Sequence, residues 1–153
     1  MKPRFISDIH LNEDSPHLTN AFKAFLNESK ESCTHLFILG DLFEIWIGDD
    51  DDNSFNQEIK KILTDFTSDG PETFLMHGNR DFLIGEAFAD EVGISILPDP
   101  YTLDINGLKT IHDSQRPTVV IQSLRAFRRA GPYFFRSSGV DVLNLSLIHI
   151  SEP

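Results

Sequence analysis

A chain of 153 residues suits one domain and leaves little room for two, and at 40% hydrophobic and 24% charged it can build a globular core. No run of 18 apolar residues occurs, so no membrane-spanning helix is expected, and the first nine residues lack the apolar stretch of a secretory signal. A net charge of −11 makes a nucleic-acid backbone a poor partner, and the lone cysteine, Cys33, cannot close an internal disulfide and points to the cytoplasm.

In chain order, residues 3–7 read as a short strand running into Asp8-Ile9-His10. Ser15 and Pro16 suit an N-cap and a first helical position, and Leu18, Phe22, Phe25 and Leu26 recur at helical spacing to about Lys30. Leu36 to Leu39 is an unbroken apolar run closed by Gly40, the pattern of a strand buried on both faces. Residues 41–48 follow as a loop or short helix, with Phe43, Trp46 and Ile47 expected to pack beneath it. Asp49 to Asn53 is an acidic, solvated turn. Phe55, Ile59, Ile62, Leu63 and Phe66 mark a second amphipathic helix, broken at Asp69-Gly70-Pro71. Residues 73–76 predict a third buried strand, 83–91 a short helix stopped by Gly93, and 94–97, 101–105 and 108–111 further strands, the last two joined by the hairpin turn Asn106-Gly107. The alternation of helices and buried strands predicts an α/β fold with a mostly parallel sheet.

Three of these strands end in polar residues of one chemical type: Asp8-Ile9-His10, Gly40-Asp41 and Gly78-Asn79-Arg80-Asp81. Ligands of open α/β sheets sit beyond the carboxyl ends of the strands. Asp8, His10, Asp41 and Asn79 are therefore expected to converge. Two carboxylates, an imidazole and an amide oxygen form a mixed O/N donor set that suits Mn²⁺, Zn²⁺ or Fe²⁺ better than Ca²⁺. In an extended Asp-x-His both side chains fall on one side of the backbone. Taken singly, Asp41 reads equally well as a turn residue or helix cap, His10 as a surface histidine and Asn79 as a turn residue. Asp81 reads as a support for Arg80 or for a ligand, or as a cap of the next helix.

Asp-x-His, Gly-Asp and Gly-Asn-x-Asp in this order resemble the calcineurin-like metallophosphoesterases. Residues 38–50 (Ile-Leu-Gly-Asp-Leu-Phe-Glu-Ile-Trp-Ile-Gly-Asp-Asp) and 77–85 (His-Gly-Asn-Arg-Asp-Phe-Leu-Ile-Gly) resemble their UDP-2,3-diacylglucosamine hydrolase branch in lipid A biosynthesis, which has Arg where most of the superfamily has His. The resemblance spans residues 1 to about 110. It implies an α/β/β/α sandwich and two Mn²⁺ ions about 3.5–4 Å apart. Asp8 and His10 would hold the first ion, Asp41 would bridge both, and Asn79 would hold the second. Asn79 and Arg80 would contact the substrate, Arg80 by clamping its diphosphate. The implied reaction hydrolyses UDP-2,3-diacylglucosamine to UMP and 2,3-diacylglucosamine 1-phosphate. Since the substrate is a lipid, the implied site of action is peripheral, on the cytoplasmic face of the inner membrane. Two other functions stay open: an inactive metal-binding fragment, and a metallophosphoesterase of another specificity.

The family also has a strand ending in Met-His-Gly-Asp and a later Gly-His-x-His. Here Thr110-Ile111-His112-Asp113-Ser114 brings a histidine about two residues early, and nothing matches the later motif. His112 is the stand-in for the missing imidazole ligand. Codons for Ile111 to Pro117, read one nucleotide later, permit Phe-Met-Ile-His-Ser-Asp. The composition breaks at the same place: residues 114–153 hold five Arg, no Lys and two acids, a net of +3 against −14 for residues 1–113. Residues 1–112 are thus expected to be the N-terminal part of a metallophosphoesterase domain, incomplete at the C-terminus and inactive as it stands. Residues 113–153 are expected to be a non-native tail.

Overall fold

The computed structural model describes residues 2–105, 108–113, 116–121, 135–137 and 140–144, with side chains as far as Thr102. Its elements are β1 (Pro3–Ser7), α1 (Pro16–Ser32), β2 (His35–Leu39), α2 (Ser54–Thr67), β3 (Glu72–Met76), α3 (Glu86–Val92), β4 (Ser95–Ile96), β5 (Tyr101–Ile105), β6 (Leu108–Asp113), β7 (Arg116–Ile121), β8 (Phe135–Ser137) and β9 (Val140–Asn144). The first four strands and the helices between them follow the alternation in the sequence. They form a parallel run β4-β3-β2-β1 that β9 and β8 extend into a six-stranded sheet. A separate antiparallel sheet has the order β5-β6-β7.

Residues 108–121 thus supply two strands, whereas 119–127 can also be read as helical from the sequence. β7, β8 and β9 all come from the segment expected to be a tail. Asn106-Gly107 lies outside the described residues, and Ile105 pairs with Leu108 across it.

The β1–β3 part of the main sheet is buried on both faces because these strands alternate two sets of apolar side chains. Ile6, Leu36, Ile38 and Leu75 join Leu18, Phe22, Leu26, Ile59, Leu63 and Phe88 in the core beneath the helices. Phe5, Phe37, Leu39 and Met76 form a second cluster on the other face, against Phe74, Leu97 and Tyr101. There Phe5, Phe37 and Phe74, in register on neighbouring strands, stack with ring centroids 5.1 and 5.0 Å apart. Stacked aromatics at cross-strand positions add to the burial term that holds a sheet together.

The helices are fixed by buried polar ties as well as by packing. Arg4 of β1 is buried, donates to Ser29 (3.1 Å) and Ser32 (3.2 Å) of α1, and lies 4.6 Å from the Phe25 ring. Lys60 of α2 is buried and pairs with Glu91 of α3 at 2.9 Å. Ser15 occupies the N-cap of α1 without a side-chain cap bond, while Asn53 caps α2 by accepting from Asn56 N–H at 2.8 Å. Cys33 sits just past α1, half-buried, and burial pushes its thiol above the ordinary range against the pull of Arg4, as befits an inert thiol.

Two carboxylates of the acidic run 49–52 tie down the starts of helices. Asp49 accepts from the N–H groups of Gly85 (3.0 and 3.1 Å) and Phe88 (3.0 Å) and from the Trp46 indole (3.2 Å), closing the N-terminus of α3. Asp51 accepts from the Asn53 and Asn56 amides at 2.8 and 3.1 Å. α3 starts at Glu86 rather than 83 because Asp49 stops it there from outside. Phe43 and Trp46 pack with Phe88 as expected, but Ile47 points outward and is 67% exposed.

Partial burial raises the Asp49 carboxyl, yet the Gly85, Phe88 and Trp46 donors and the Lys60 charge outweigh it and leave the carboxyl below its ordinary value of 3.8. A carboxyl lowered on folding stabilises fully above its unfolded value, and that contribution is lost as pH falls through the folded one. Asp49→Ala should therefore destabilise the chain by about 0.5–2 kcal/mol at neutral pH, the range of a lost cap. It should also flatten the fall in stability below about pH 4. Urea unfolding at several pH values measures both, and an unchanged acid limb would remove Asp49 from this role.

Candidate metal centre

Past Ser7 the chain does not continue as an extended strand. It turns along the exit of β2 through a series of backbone bonds: Asp8 N–H to Gly40 O (3.2 Å), Ile9 and His10 N–H to Asp41 O (both 2.9 Å), Leu11 N–H to Leu42 O (2.9 Å) and Glu44 N–H to Leu11 O (3.0 Å). Within this weave Asp8, His10 and Asp41 have φ of 53°, 54° and 52°, and they are the only non-glycine residues in the left-handed region among those described. Each such residue costs roughly 1–2 kcal/mol relative to the right-handed form. Strain of that kind persists only where the surroundings over-determine it, and it clusters at ligand sites. The convergence expected from a pleated Asp-x-His is reached instead by two left-handed kinks around the buried Ile9.

These kinks aim three side chains at one point. One ligand atom from each of Asp8, His10 and Asp41 lies within 4.8 Å of the others, and all three residues are half-buried. Two carboxylates this close repel each other unless a cation lies between them. With an imidazole beside them they make a three-membered O/N set able to hold a divalent metal of the Mn²⁺, Zn²⁺ or Fe²⁺ type.

The exit of β3 closes on the same place. Gly40 (φ +85°) and Gly78 meet so tightly that a Cβ on Gly40 would lie 2.9 Å from Gly78 Cα. A Cβ on Gly78 would lie 2.1 Å from Asp41 Oδ1 and 2.3 Å from Asp41 N. Arg80 N–H donates to Asp41 Oδ1 at 3.0 Å. Asn79, exposed, therefore sits between two residues whose backbones embrace the Asp41 carboxylate. The Arg80 guanidinium, 47% exposed, lies at this edge, where Nη1 pairs with Glu44 at 3.0 Å. His112 stands on β6 opposite Tyr101, and its side chain lies outside the described ones.

One support, Glu44, escapes a reading of the sequence motifs, and a second, Asp81, takes a form that they do not specify. Glu44 Oε2 is 2.8 Å from His10 Nδ1 while Oε1 holds Arg80. Its one sequence signal is a lone acid inside the apolar stretch Leu42-Phe43-Glu44-Ile45-Trp46-Ile47. Asp81 is wholly buried and accepts from Leu42 N–H and Gly78 N–H, both at 2.7 Å, so it latches the two loops together rather than capping a helix or orienting Arg80. Burial raises its carboxyl above the ordinary range, the Gly78 and Leu42 donors pull it back, and the nearby Asp41 charge raises it further.

Gly78→Ala should destabilise the chain by about 1–3 kcal/mol, the usual cost of forcing an atom into a filled space. It should weaken binding of a divalent cation by this donor set at the same time, because the displaced group is the Asp41 carboxylate itself. Urea unfolding together with a Mn²⁺ titration tests this, and a variant with native stability and native metal affinity would contradict the close approach.

Comparison with known proteins gives a consistent picture. No family model matches the chain. It is 48% identical over 107 residues, 70% of its length, to a UDP-2,3-diacylglucosamine hydrolase of Pseudomonas aeruginosa (strain UCBPP-PA14), covering 45% of that protein. It is 42% identical over 135 residues, 86% of its length, to a UDP-2,3-diacylglucosamine hydrolase of Shewanella pealeana, covering 56% of that protein. The chain thus spans about half the length of the curated relatives it matches. Among solved structures, the nuclease MPE of Pseudomonas putida superposes with a TM-score of 0.50 at 20% identity, over 65% of this chain and 49% of that one. The fold is a metallophosphoesterase-type α/β fold, and in sequence the chain is a partial-length relative of the UDP-2,3-diacylglucosamine hydrolases.

Proposed function

We propose that this chain carries the metal-binding part of a hydrolase that cleaves the diphosphate of UDP-2,3-diacylglucosamine, giving UMP and 2,3-diacylglucosamine 1-phosphate. The observation that carries the reading is the convergence of Asp8, His10 and Asp41 at strained strand ends in a chain 48% identical to enzymes of that name. The metal proposed is Mn²⁺, two ions in the complete site, with Asp8 and His10 on one, Asn79 on the other and Asp41 between them. His112 is proposed as a further imidazole ligand. When bound, such ions supply Lewis acidity and lower the pKa of a water toward about 7.

The chain's own residues then have distinct tasks. Asp8 and Asp41 supply the negative charge that gathers the ions, and His10 supplies a neutral donor of defined direction. Asp41 would serve both ions, and the Gly78–Arg80 backbone that wraps its carboxylate would hold it in position. Asn79 and Arg80 lie at the open edge, where the guanidinium can pair with the diphosphate oxygens in a two-pronged contact that Lys cannot copy. As water attacks one phosphorus, a P–O bond forms, the bridging oxygen leaves with its electron pair, and the proton passes to solvent.

No described helix is long and apolar enough to cross a membrane. The proposed action on a lipid is therefore peripheral, at the cytoplasmic face of the inner membrane. The proposed domain part is residues 1–112, with 113–153 a non-native tail, although β9 of that segment pairs with β1. The break in charge supports that boundary, while the Shewanella match, at 86% of the chain, extends beyond it.

One experiment tests reaction and boundary together. The DNA across codons 108–120 is sequenced, and UMP release from UDP-2,3-diacylglucosamine in detergent micelles is measured for the 153-residue chain and for its frame-restored form. A one-nucleotide slip is expected, with Mn²⁺-dependent release by the restored protein and little by the chain as it stands. Asp41→Ala in the restored protein should cut release by about 100-fold or more, beyond what changes around a metal's ligands usually cost. Release that survives Asp41→Ala would overturn the site. An unbroken frame with full activity in the 153-residue chain would overturn the boundary.

A further inference from the structure

We propose that Glu44 is a two-armed positioning residue: one carboxylate oxygen fixes the ring tautomer of His10, and the other parks the Arg80 guanidinium at the rim of the same site. Its functional weight rests on the metal-centre reading above, but its central claim concerns a hydrogen on a ring nitrogen and needs no metal to be tested.

The geometry is short on both arms. Glu44 Oε2 lies 2.8 Å from His10 Nδ1, and Glu44 Oε1 lies 3.0 Å from Arg80 Nη1. An ionised carboxylate only accepts, so at this distance His10 Nδ1 carries the hydrogen. In the neutral ring that leaves the lone pair on Nε2, the one imidazole nitrogen then able to join the Asp8 and Asp41 carboxylates as a ligand. The backbone fixes all three residues relative to one another. Glu44 N–H donates to Leu11 O, one residue past His10, and Trp46 N–H donates to Arg80 O at 3.0 and 3.2 Å respectively. Glu44 is thus held beside the kink that carries His10 and beside the loop that carries Arg80.

The two arms have a consequence that single-armed support would not. Glutamine keeps the shape of Glu44 but offers one acceptor and one donor to two donors. If its oxygen stays on Arg80, its NH₂ faces His10 Nδ1 and favours the ring form with hydrogen on Nε2, which removes the ligand lone pair. Arg80→Ala cuts only the second arm and leaves the first intact.

The test is ¹⁵N NMR of the histidine rings in the metal-free 153-residue chain at about pH 8.5, two units above the ordinary histidine range. The His10 signals are assigned by their loss in His10→Ala. The expected wild-type result is hydrogen on Nδ1 and a bare Nε2, kept in Arg80→Ala and shifted toward hydrogen on Nε2 in Glu44→Gln. Mn²⁺ titration should show Glu44→Gln binding about 10–100-fold more weakly, the usual cost of losing a ligand's outer partner. Hydrogen on Nε2 in the wild-type chain would overturn the proposal whether or not Glu44→Gln folds. So would a folded Glu44→Gln with the wild-type tautomer and Mn²⁺ affinity. If the tautomer result holds but the frame-restored protein releases no UMP, the proposed reaction fails and the role of Glu44 stands.

Discussion

The approach of the β2 and β3 exits is the constraint on which the rest of this structure depends. Gly40 and Gly78 allow two backbones to touch where any Cβ would collide, and the wholly buried Asp81 carboxylate ties Leu42 N–H to Gly78 N–H across the gap. At that spacing the Gly78–Arg80 backbone closes around the Asp41 carboxylate, while the Asp41 carbonyl accepts from Ile9 and His10 of the β1 exit. The left-handed kinks at Asp8, His10 and Asp41 follow from these bonds. The site is therefore made by backbone contact first, and the side chains are aimed by it.

That order explains what the sequence disclosed and what it hid. The three parallel strands, α1 and α2 are legible because a strand buried on both faces and an amphipathic helix write different periods into the chain. Asp8, His10 and Asp41 are legible because residues just past a parallel strand's carboxyl end share one edge of the sheet whatever their local backbone. The kinks were not legible, since an extended Asp-x-His and a left-handed one have the same letters. Asp49 looked like solvated charge because its partners, the Gly85 and Phe88 N–H groups, lie 36 and 39 residues away. Glu44 carried one faint sign, an acid amid apolar neighbours, and its two partners lie 34 and 36 positions distant. Ile47 was misplaced because its neighbours Phe43 and Trp46 already fill the space against Phe88.

Charge gives the site a direction as well as a shape. Asp8, Asp41, Glu44 and Asp81 gather four carboxylates around three strand ends, with Arg80 the one arginine among the residues described there. Glu44 spends its charge on His10 and Arg80, and Asp81 spends its charge on two N–H groups. Asp8 and Asp41 face each other, and that pair is the one a divalent cation would complete.

Such a cation would reach beyond its own ligands. The Asp81 latch works only as an acceptor, yet burial and the Asp41 charge both push its carboxyl toward the neutral form. Positive charge held at Asp41 would cancel the second of these effects and favour the ionised latch, which in turn holds Leu42 and Gly78 at the spacing that Asp41 needs. A cation at Asp41 would thus sit beside the carboxylate that ties the β2 and β3 exits together. A ligand that binds the folded form alone stabilises it by mass action. Here the stabilisation falls on the strand ends that carry three strained residues.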